Sequence, residues 1–284
     1  MRFTGGKKNV DISSSILLGV VQGISEFLPI SSSGHLVLFQ NFLGFREPEL
    51  LFDIALHLGT LVAVCIFFGR DLGAMAVETA SFLASLMRRE KSLKQINEYP
   101  HAFMLFWVVV GTIPTGLIGL WFKAPLESLF GSVRVVGFML LCTGLILFAT
   151  RKLPESDTRR SSVGLFAAVA VGVAQGIAII PGISRSGSTI VCGMFCRLRR
   201  ETAARFSFLL SIPATLGAMV LQLASEGLGR EAIPALAVGF VISALVGLLA
   251  LKILMGMVRT GRLYYFAPYC WAVGLLILFV SFRA

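Results

Sequence analysis

Two short polar segments interrupt long apolar stretches of the chain, and each carries side chains that could act on an anionic substrate. In the first segment, Gln22 and Glu26 are four residues apart and therefore lie on one face of a helix. Because a carboxylate is costly to insert in a membrane, Glu26 is a candidate functional residue; a purely structural hydrogen bond to a neighbouring helix is the alternative. The polar set of this segment is Gln22, Glu26, Ser31, Ser32, Ser33 and His35.

The second segment, residues 182–189, reads GISRSGST and places Arg185 among hydroxyls and glycines just before a predicted helix. Backbone N–H groups at a helix start, hydroxyl groups and a planar guanidinium together bind phosphate oxygens. The segment therefore predicts an anion site, in which Ser184, Ser186 and Thr189 position oxygens. The alternative is a helix-breaking turn with a capping serine and an arginine that reaches the membrane surface.

The two segments belong to an internal repeat. Residues 19–38 read GVVQGISEFLPISSSGHLVL, and residues 172–191, 153 positions later, read GVAQGIAIIPGISRSGSTIV. The copies align without a gap and share a Gly-Val-x-Gln-Gly run and an Ile-Ser-x-Ser-Gly run. Three predicted membrane crossings separate them, and an odd number predicts opposite orientations. Inverted repeats with broken helices place polar sites near the bilayer midplane, with helix N-termini directed at an anion.

The composition predicts a membrane protein. Of 284 residues, 56% are hydrophobic and 14% are charged, whereas a soluble domain carries about 25% charged residues. The net charge of +10 does not indicate nucleic-acid binding, because the Lys and Arg residues lie between apolar segments. The five cysteines lie in apolar stretches without metal-ligand spacing, so we interpret them as packing residues.

Apolar segments long enough to cross a bilayer, about 20 residues each, run near 51–69, 102–122, 133–150, 206–224, 232–254 and 264–282. Residues 72–87 are predicted to form an interfacial or short tilted helix. Regions 12–45 and 162–196 are apolar but broken by Gly, Ser and Pro, which predicts two re-entrant hairpins. The predicted fold is an all-α integral membrane protein, a multi-pass helical bundle with inverted-topology repeats. One membrane domain, residues 1–284, would contain a first repeat at 12–150 and a second at 162–282.

Charge asymmetry between loops predicts the sidedness of the chain. Lys and Arg residues cluster in 88–94, 151–160, 197–205 and 252–262, and these loops are therefore expected to be cytoplasmic. The loops near 40–50, 123–132 and 225–231 carry few positive charges and are expected on the opposite side.

The motifs resemble the undecaprenyl-pyrophosphate phosphatase family of bacterial membranes, also known as the bacitracin-resistance protein family. Its first signature is an (E/Q)xxxE stretch followed by Pro and a Ser-rich turn ending in Gly-His, and its second is PGxSRSxxT. The likeness extends to residues 206–213, FSFLLSIP, and the length and span pattern agree across nearly the whole chain. The matching residues are Gln22, Glu26, Pro29, Ser31, Ser32, Gly34, His35, Pro181, Gly182, Ser184, Arg185, Ser186 and Thr189.

The resemblance implies hydrolysis of a C55 polyprenyl pyrophosphate to the monophosphate, which recycles the lipid carrier of peptidoglycan synthesis. It also implies a site at the outer, periplasmic face of the bacterial inner membrane and a divalent cation, Mg²⁺ or Ca²⁺. The expected partners are the lipid substrate and the bilayer, with no nucleic acid, and a homodimer is left open. The first acidic position is Gln22 here, which cannot be an anionic metal ligand.

The expected chemistry assigns a role to each charged or polar group. Glu26 holds the metal or acts as a base, and Arg185 stabilises the charge that develops on the phosphoryl group. Either Ser32 or His35 attacks phosphorus, or a metal-activated water attacks directly. Gln22, Ser31, Ser33, Ser184, Ser186 and Thr189 form the predicted pyrophosphate-binding set. His57, within a predicted crossing, is interpreted as a packing residue or at most a supporting one.

Three other functions compete with this hypothesis. A transporter or flippase of a phosphorylated polyprenyl lipid shares the inverted repeats and broken helices but needs no nucleophile or base. Another membrane phosphatase class has SGH and SR elements, but this sequence lacks its Lys-x6-Arg-Pro element and a third histidine downstream of Arg185. A purely structural membrane protein leaves Glu26 and Arg185 unexplained.

Overall fold

A computed structural model of the chain describes residues 11–43, 50–122, 129, 132–153, 160–226 and 233–283. Short 3-10 helices join some of the α-helices, at Leu93–Glu98, Thr150–Lys152 and Leu263–Phe266. The α-helices are α1 (Ile12–Phe27), α2 (Ser32–Leu43), α3 (Leu50–Phe67), α4 (Gly69–Met87), α5 (Pro100–Trp121), α6 (Val133–Ala149), α7 (Leu165–Ile177), α8 (Arg185–Phe195), α9 (Arg200–Glu226), α10 (Ile233–Arg259) and α11 (Ala267–Arg283).

The long apolar helices make this chain an all-α, multi-pass membrane protein. Among the described residues, α5, α6, α9, α10 and α11 are long and apolar enough to cross a membrane. The crossing predicted at 51–69 is the shorter helix α3, which together with α4 forms a pair bent by 70°. The helix predicted at 72–87 is confirmed as part of α4, while its interfacial position stays a prediction.

Both predicted breaks are confirmed. Asp11 caps the start of α1 by accepting the Ser14 N–H at 2.8 Å. Leu28 is extended (φ −62°, ψ 140°), as expected for the residue before Pro29, and this conformation ends α1. The chain then turns and α2 begins at Ser32. Residues 44 and 45 of the first region, and most of the loops predicted on the opposite side, lie outside the described residues.

The second break differs from the prediction by one residue. Gly182 has a φ of +97°, a conformation that L side chains rarely adopt, and it turns the chain between α7 and α8. The Ser184 hydroxyl caps α8 by accepting the Gly187 N–H at 3.1 Å. Arg185, expected just before the helix, is its first residue. The guanidinium therefore projects from the first turn of α8.

The first helix of each motif packs mainly against a helix of the other half of the chain. In the first half α1 packs against α10, and in the second half α7 packs against α5. Helices α6 and α11, the last of each half, pack against each other. A two-fold relation between the halves produces such exchanged contacts. The opposite orientation of the copies in a membrane, and the re-entrant character of the hairpins, stay predictions.

Repeated glycines allow this close packing. A Cβ added at Gly23 would lie 2.8 Å from the Cβ of Val246 on α10, and one added at the equivalent Gly176 would lie 2.6 Å from Cδ1 of Ile118 on α5. Small residues spaced by four let membrane helices approach closely. The shared glycines of the repeat therefore serve helix packing, which holds the polar ends of α1 and α7 in place.

Charged side chains also link helices outside the two motifs. Glu78 of α4 accepts the backbone N–H groups of His101 and Ala102 at 2.7 and 3.2 Å, and it contacts His101 Nδ1 at 2.7 Å. It thereby satisfies the free N–H groups at the start of α5. Arg205 of α9 forms an ion pair with Asp71 of α4. These contacts fix α4 against the bundle and give Glu78 and His101 a structural role.

Candidate active site

The two Ser/Gly turns lie against each other in the interior of the protein. A Cβ added at Gly34 would lie 3.5 Å from the Cα of Gly182, and one added at Gly187 would lie 3.1 Å from the Cβ of Pro29. Gly34 and Gly187 occupy equivalent positions in the two copies, as do Pro29 and Gly182. The contacts are therefore reciprocal, and the first turns of α2 and α8 start side by side.

Glu26 joins the two turns. Its Oε1 accepts a hydrogen bond from Nη2 of Arg185 in an ion pair, and its Oε2 accepts the Ser32 hydroxyl at 2.6 Å. Ser32 and Arg185 are the first residues of α2 and α8 and are equivalent in the repeat. The juxtaposition of the acid of the first copy with the cation of the second, predicted from the sequence, is observed.

Two further polar side chains contact Glu26. Gln22, one turn earlier on α1, donates from Nε2 to Glu26 Oε2 at 3.1 Å. The same Nε2 lies 2.9 Å from Nδ1 of His57 on α3, and that Nδ1 is 3.7 Å from Glu26 Oε2. The Oε1 of Gln22 is buried and has no hydrogen-bond partner among the described residues. The family signature allows Glu or Gln at position 22. In this chain the neutral amide of Gln22 lies there, next to the imidazole of His57, and not a second carboxylate.

A cleft between α1, α3, α8 and α9 opens onto these groups. The Glu26 side chain is 6% exposed, whereas the side chains of Arg185 and His57 keep 25% and 33% of their surface accessible. The acid is thus buried beneath a guanidinium and an imidazole that a ligand can reach. Lining the cleft are Glu26, Phe27, His57, Thr60, Leu61, Val64, Arg185, Phe208, Ser211 and Thr215.

Most of the hydroxyls predicted to bind pyrophosphate make hydrogen bonds that support the turns. Ser184 caps α8, and its hydroxyl lies 3.3 Å from that of Ser186. Thr189 donates to the Arg185 carbonyl at 2.7 Å and pairs with the hydroxyl of Ser207 on α9. All three predicted residues of this copy are buried. They hold the backbone around Arg185, and a direct contact with substrate stays a prediction for them.

The first turn has a similar internal network. Ser31 is buried, and its hydroxyl accepts the Gly34 N–H at 3.4 Å and lies 3.4 Å from the Ser33 hydroxyl. His35 does not line the cleft: its Nδ1 donates to the Ser31 carbonyl at 2.8 Å, and its Nε2 lies 2.8 Å from the Tyr269 hydroxyl. Of the four predicted catalytic residues, Glu26, Ser32 and Arg185 come together, and His35 lies behind them.

Sequence reasoning missed several residues that the fold brings to the site. His57 was interpreted as a packing residue or at most a supporting one, and it lines the cleft next to Gln22 and Glu26. Thr143 of α6 holds the second turn, since its hydroxyl donates to the Gly182 carbonyl at 2.9 Å and accepts the Ser184 N–H at 3.0 Å. Tyr269 contacts His35 from α11. His57, Thr143 and Tyr269 each lie in an apolar segment, outside the two motifs. Of the three, only the isolated histidine could have indicated a functional role from the sequence.

Comparison with known proteins identifies the family of this chain. The chain matches the family described as bacitracin resistance protein BacA over residues 15–276. The chain belongs to this family. Among its relatives, the undecaprenyl-diphosphatase of Desulforapulum autotrophicum is 44% identical over 282 residues, which cover 97% of this chain and 100% of the relative.

Two further relatives with the same name support the assignment. The undecaprenyl-diphosphatase of Desulfatibacillum aliphaticivorans is 47% identical over 270 residues, covering 94% of this chain and 98% of the relative. That of Desulfosudis oleivorans is 42% identical over 274 residues, covering 94% and 98%. The family predicted from the Ser/Gly motifs is therefore confirmed, and the transporter alternative is not favoured.

Proposed function

We propose that this protein is an undecaprenyl-diphosphate phosphatase, a membrane hydrolase that converts undecaprenyl pyrophosphate to undecaprenyl phosphate and inorganic phosphate. The product is the lipid carrier used in peptidoglycan synthesis. Three features support the proposal: the family, the names of its relatives, and above all the convergence of Ser32 and Arg185 on the carboxylate of Glu26. An acid, a hydroxyl and a cation in contact with one another are the groups that phosphoryl transfer needs.

Arg185 is the group that binds the pyrophosphate. One of its five N–H groups is donated to Glu26, and the others make no hydrogen bond with the described residues. A guanidinium binds phosphate oxygens in pairs, and in a cleft with little water it stabilises the charge that develops in the transition state. The position of Arg185 at the first turn of α8 adds the positive end of the helix dipole.

Ser32 is the proposed nucleophile and Glu26 its base. The Ser32 hydroxyl already donates to Glu26 Oε2, so its proton can pass to the carboxylate as Oγ attacks the terminal phosphorus. The bond to the bridging oxygen breaks, and undecaprenyl phosphate leaves with that oxygen and takes the proton. Water, deprotonated by Glu26, then cleaves the Ser32 phosphoester and releases inorganic phosphate. Direct attack by water on the substrate is the alternative.

The residues around Glu26 fit a divalent cation whose remaining coordination positions are filled by oxygens of the substrate. Mg²⁺ is commonly bound through one or two carboxylates together with substrate phosphates. Glu26 offers one carboxylate, and the unpartnered Oε1 of Gln22 offers a second oxygen. No cluster of three or more His, Cys, Asp or Glu side chains suited to a metal occurs in the described part of the chain. We propose that Mg²⁺ or Ca²⁺, when bound, neutralises charge on the pyrophosphate.

Phosphate release from C55 pyrophosphate by the purified protein in detergent tests the proposed activity. We expect turnover that a chelator suppresses and Mg²⁺ or Ca²⁺ restores; absence of phosphate release under all these conditions contradicts the proposal. Binding of Mn²⁺, followed by electron paramagnetic resonance, gives a separate test of the metal site and should weaken in Glu26→Gln. Unchanged Mn²⁺ binding in that variant rules out Glu26 as a ligand.

A second experiment identifies the nucleophile. With substrate labelled in the terminal phosphate, rapid quenching should trap phosphoserine in the wild type but not in Ser32→Ala. Ser13→Ala is the matched control, because Ser13 is an exposed serine that contacts only Asp11. A burst of phosphate without a labelled protein, or full activity of Ser32→Ala, supports direct attack by water instead.

We further propose that the protein lies in the bacterial inner membrane with its cleft open to the periplasmic face. The clusters of Lys and Arg in the loops predicted to be cytoplasmic support this sidedness. A membrane-impermeant maleimide applied to intact spheroplasts should label Thr215→Cys at the cleft, after the native cysteines have been replaced. Labelling that occurs only in inverted vesicles contradicts the proposal.

A further inference from the structure

Tyr269 on α11 contacts His35, the only histidine in the two copies of the motif. The Tyr269 hydroxyl lies 2.8 Å from His35 Nε2, and the two rings stack at an angle of 10° with centroids 5.8 Å apart. His35 is 6% exposed, whereas Tyr269 is 44% exposed at the outside of the bundle. The tyrosine thus closes off the histidine from the surface of the protein.

The hydrogen bonds of His35 determine its tautomer. A carbonyl oxygen can only accept, so Nδ1, which is 2.8 Å from the Ser31 oxygen, must carry a proton. In the neutral ring the remaining lone pair is on Nε2, and there it accepts the Tyr269 O–H. His35 therefore has no free lone pair with which to attack phosphorus, and it is not among the residues that line the cleft.

The contact also supports a strained turn. Ser31 has a φ of +70°, a left-handed conformation that is unfavourable for a residue with a side chain. Its carbonyl is held by Nδ1 of His35 and by the His35 backbone N–H, at 3.2 Å. The next residue of α11, Cys270, contacts the Pro29 carbonyl at 3.6 Å. Helix α11 therefore holds the turn at two points, and the turn ends at Ser32.

We infer that Tyr269 is a positioning residue for the reaction. Through His35 it fixes the Ser31 carbonyl, and this keeps the Ser32 hydroxyl aligned with Glu26. His35 is accordingly part of this support and not the nucleophile. The inference rests on the proposed phosphatase activity and deepens it, because it links a side chain of the outer helix α11 to the attacking hydroxyl.

An exposed tyrosine near the end of a membrane helix has an ordinary alternative role as an interfacial anchor. Tyr265, one turn earlier, is a matched control: it is 56% exposed and its ring packs on Tyr264, away from His35. If Tyr269 acts only as an anchor, both Tyr→Phe variants should behave alike. If Tyr269 positions the turn, only the loss of its hydroxyl should slow turnover.

The first experiment compares Tyr269→Phe with Tyr265→Phe on C55 pyrophosphate. We expect kcat of Tyr269→Phe to fall about 5- to 30-fold, since one hydrogen bond is lost and a nucleophile is misaligned. KM and the thermal unfolding midpoint should stay at the wild-type values, and Tyr265→Phe should match the wild type throughout. An unchanged kcat in Tyr269→Phe, or an equal fall in both variants, overturns the inference. An inactive wild type contradicts the proposed function itself.

A double-mutant cycle tests whether Tyr269 acts through His35. In a His35→Asn background, measured under single-turnover conditions, Tyr269→Phe should cause no further loss of rate. Additive losses overturn the link between the two residues. Trapping of a phosphohistidine at position 35 would also overturn it, because that product requires Nε2 or Nδ1 to be free for attack.

Discussion

The first copy of the motif, residues 19–38, and the second, residues 172–191, share a backbone plan but differ in chemistry. In both, a helix packed through glycines ends in a turn, and a second helix starts beside its counterpart. Ser32 and Arg185 occupy equivalent positions, and both reach the carboxylate of Glu26. The residue equivalent to Glu26 is Ile179. The two copies of the repeated sequence therefore carry a single acid between them, which makes the site asymmetric.

The supports of the two turns differ in the same way. Thr143 on α6 binds the backbone of the second turn directly, at Gly182 and Ser184. Tyr269 on α11 reaches the first turn through His35. In each case the support comes from the other half of the chain. The comparison teaches that the repeat supplies the position of two helix starts, while substitutions within it supply a hydroxyl, a carboxylate and a guanidinium.

The largest effect is expected for the cation of the second copy. Arg185→Ala should lower kcat/KM about 10²- to 10³-fold, because it removes the group that stabilises charge on the phosphoryl oxygens. The control is Arg134→Ala, since Arg134 donates to the Ser281 carbonyl at the end of α11, away from the cleft. Steady-state assays in detergent measure both. Near-normal turnover of Arg185→Ala would contradict the role proposed for Arg185.

The glycines test the part of the comparison that is symmetric. Gly23→Ala and Gly176→Ala should each destabilise the protein by about 1–3 kcal/mol, because the new methyl group meets the facing helix. Thermal unfolding in detergent measures the change. Gly217→Ala is the control, since nothing lies within 4 Å of its added Cβ, and it should change stability by less than about 1 kcal/mol. A large loss of stability in only one of Gly23→Ala and Gly176→Ala would contradict the equivalence of the two copies in helix packing.

The two glutamines test the asymmetric part. Gln22 contacts Glu26 and His57, whereas the equivalent Gln175 contacts Thr115 and the Leu210 carbonyl, at 3.3 and 3.4 Å. Gln22→Leu should lower kcat about tenfold, as expected when one hydrogen bond to the base is lost. Gln175→Leu should lower the unfolding midpoint and leave kcat unchanged. Equal effects of Gln22→Leu and Gln175→Leu on kcat would contradict the proposal that Glu26 gives only the first copy a role in the reaction.

The smallest effect is expected at His57. Its contact with Gln22 is direct, but its distance to Glu26 Oε2 is 3.7 Å, too long for a hydrogen bond. His57→Asn, which keeps a polar group near Gln22, should lower kcat about 2- to 5-fold, because the support of Glu26 weakens by less than a full hydrogen bond. Parallel kinetics of His101→Asn serve as the control, as His101 contacts Glu78 and not the cleft.

Much of this site was predictable because its signals are local. A carboxylate among apolar residues, an arginine within a Ser/Gly turn and a repeat without gaps all appear in the linear sequence. They led to Glu26, Ser32 and Arg185 and to the two helix breaks. The crossing predicted at 51–69 matches α3 (Leu50–Phe67) to within two residues, but hydrophobicity does not show the bend of 70° between α3 and α4.

The sequence by itself determined the helical membrane fold, the internal repeat and the family, and it singled out Glu26, Ser32 and Arg185 as candidates for the site. Spacing in a sequence defines faces only within one helix, and so it could not show which side chains of distant helices meet. Only the tertiary structure decided that His57 enters the cleft, that Thr143 and Tyr269 support the turns, and that the Thr189 hydroxyl pairs with that of Ser207. The contacts of His57, Thr143 and Tyr269 join residues more than thirty positions apart, and only helix packing brings such residues together.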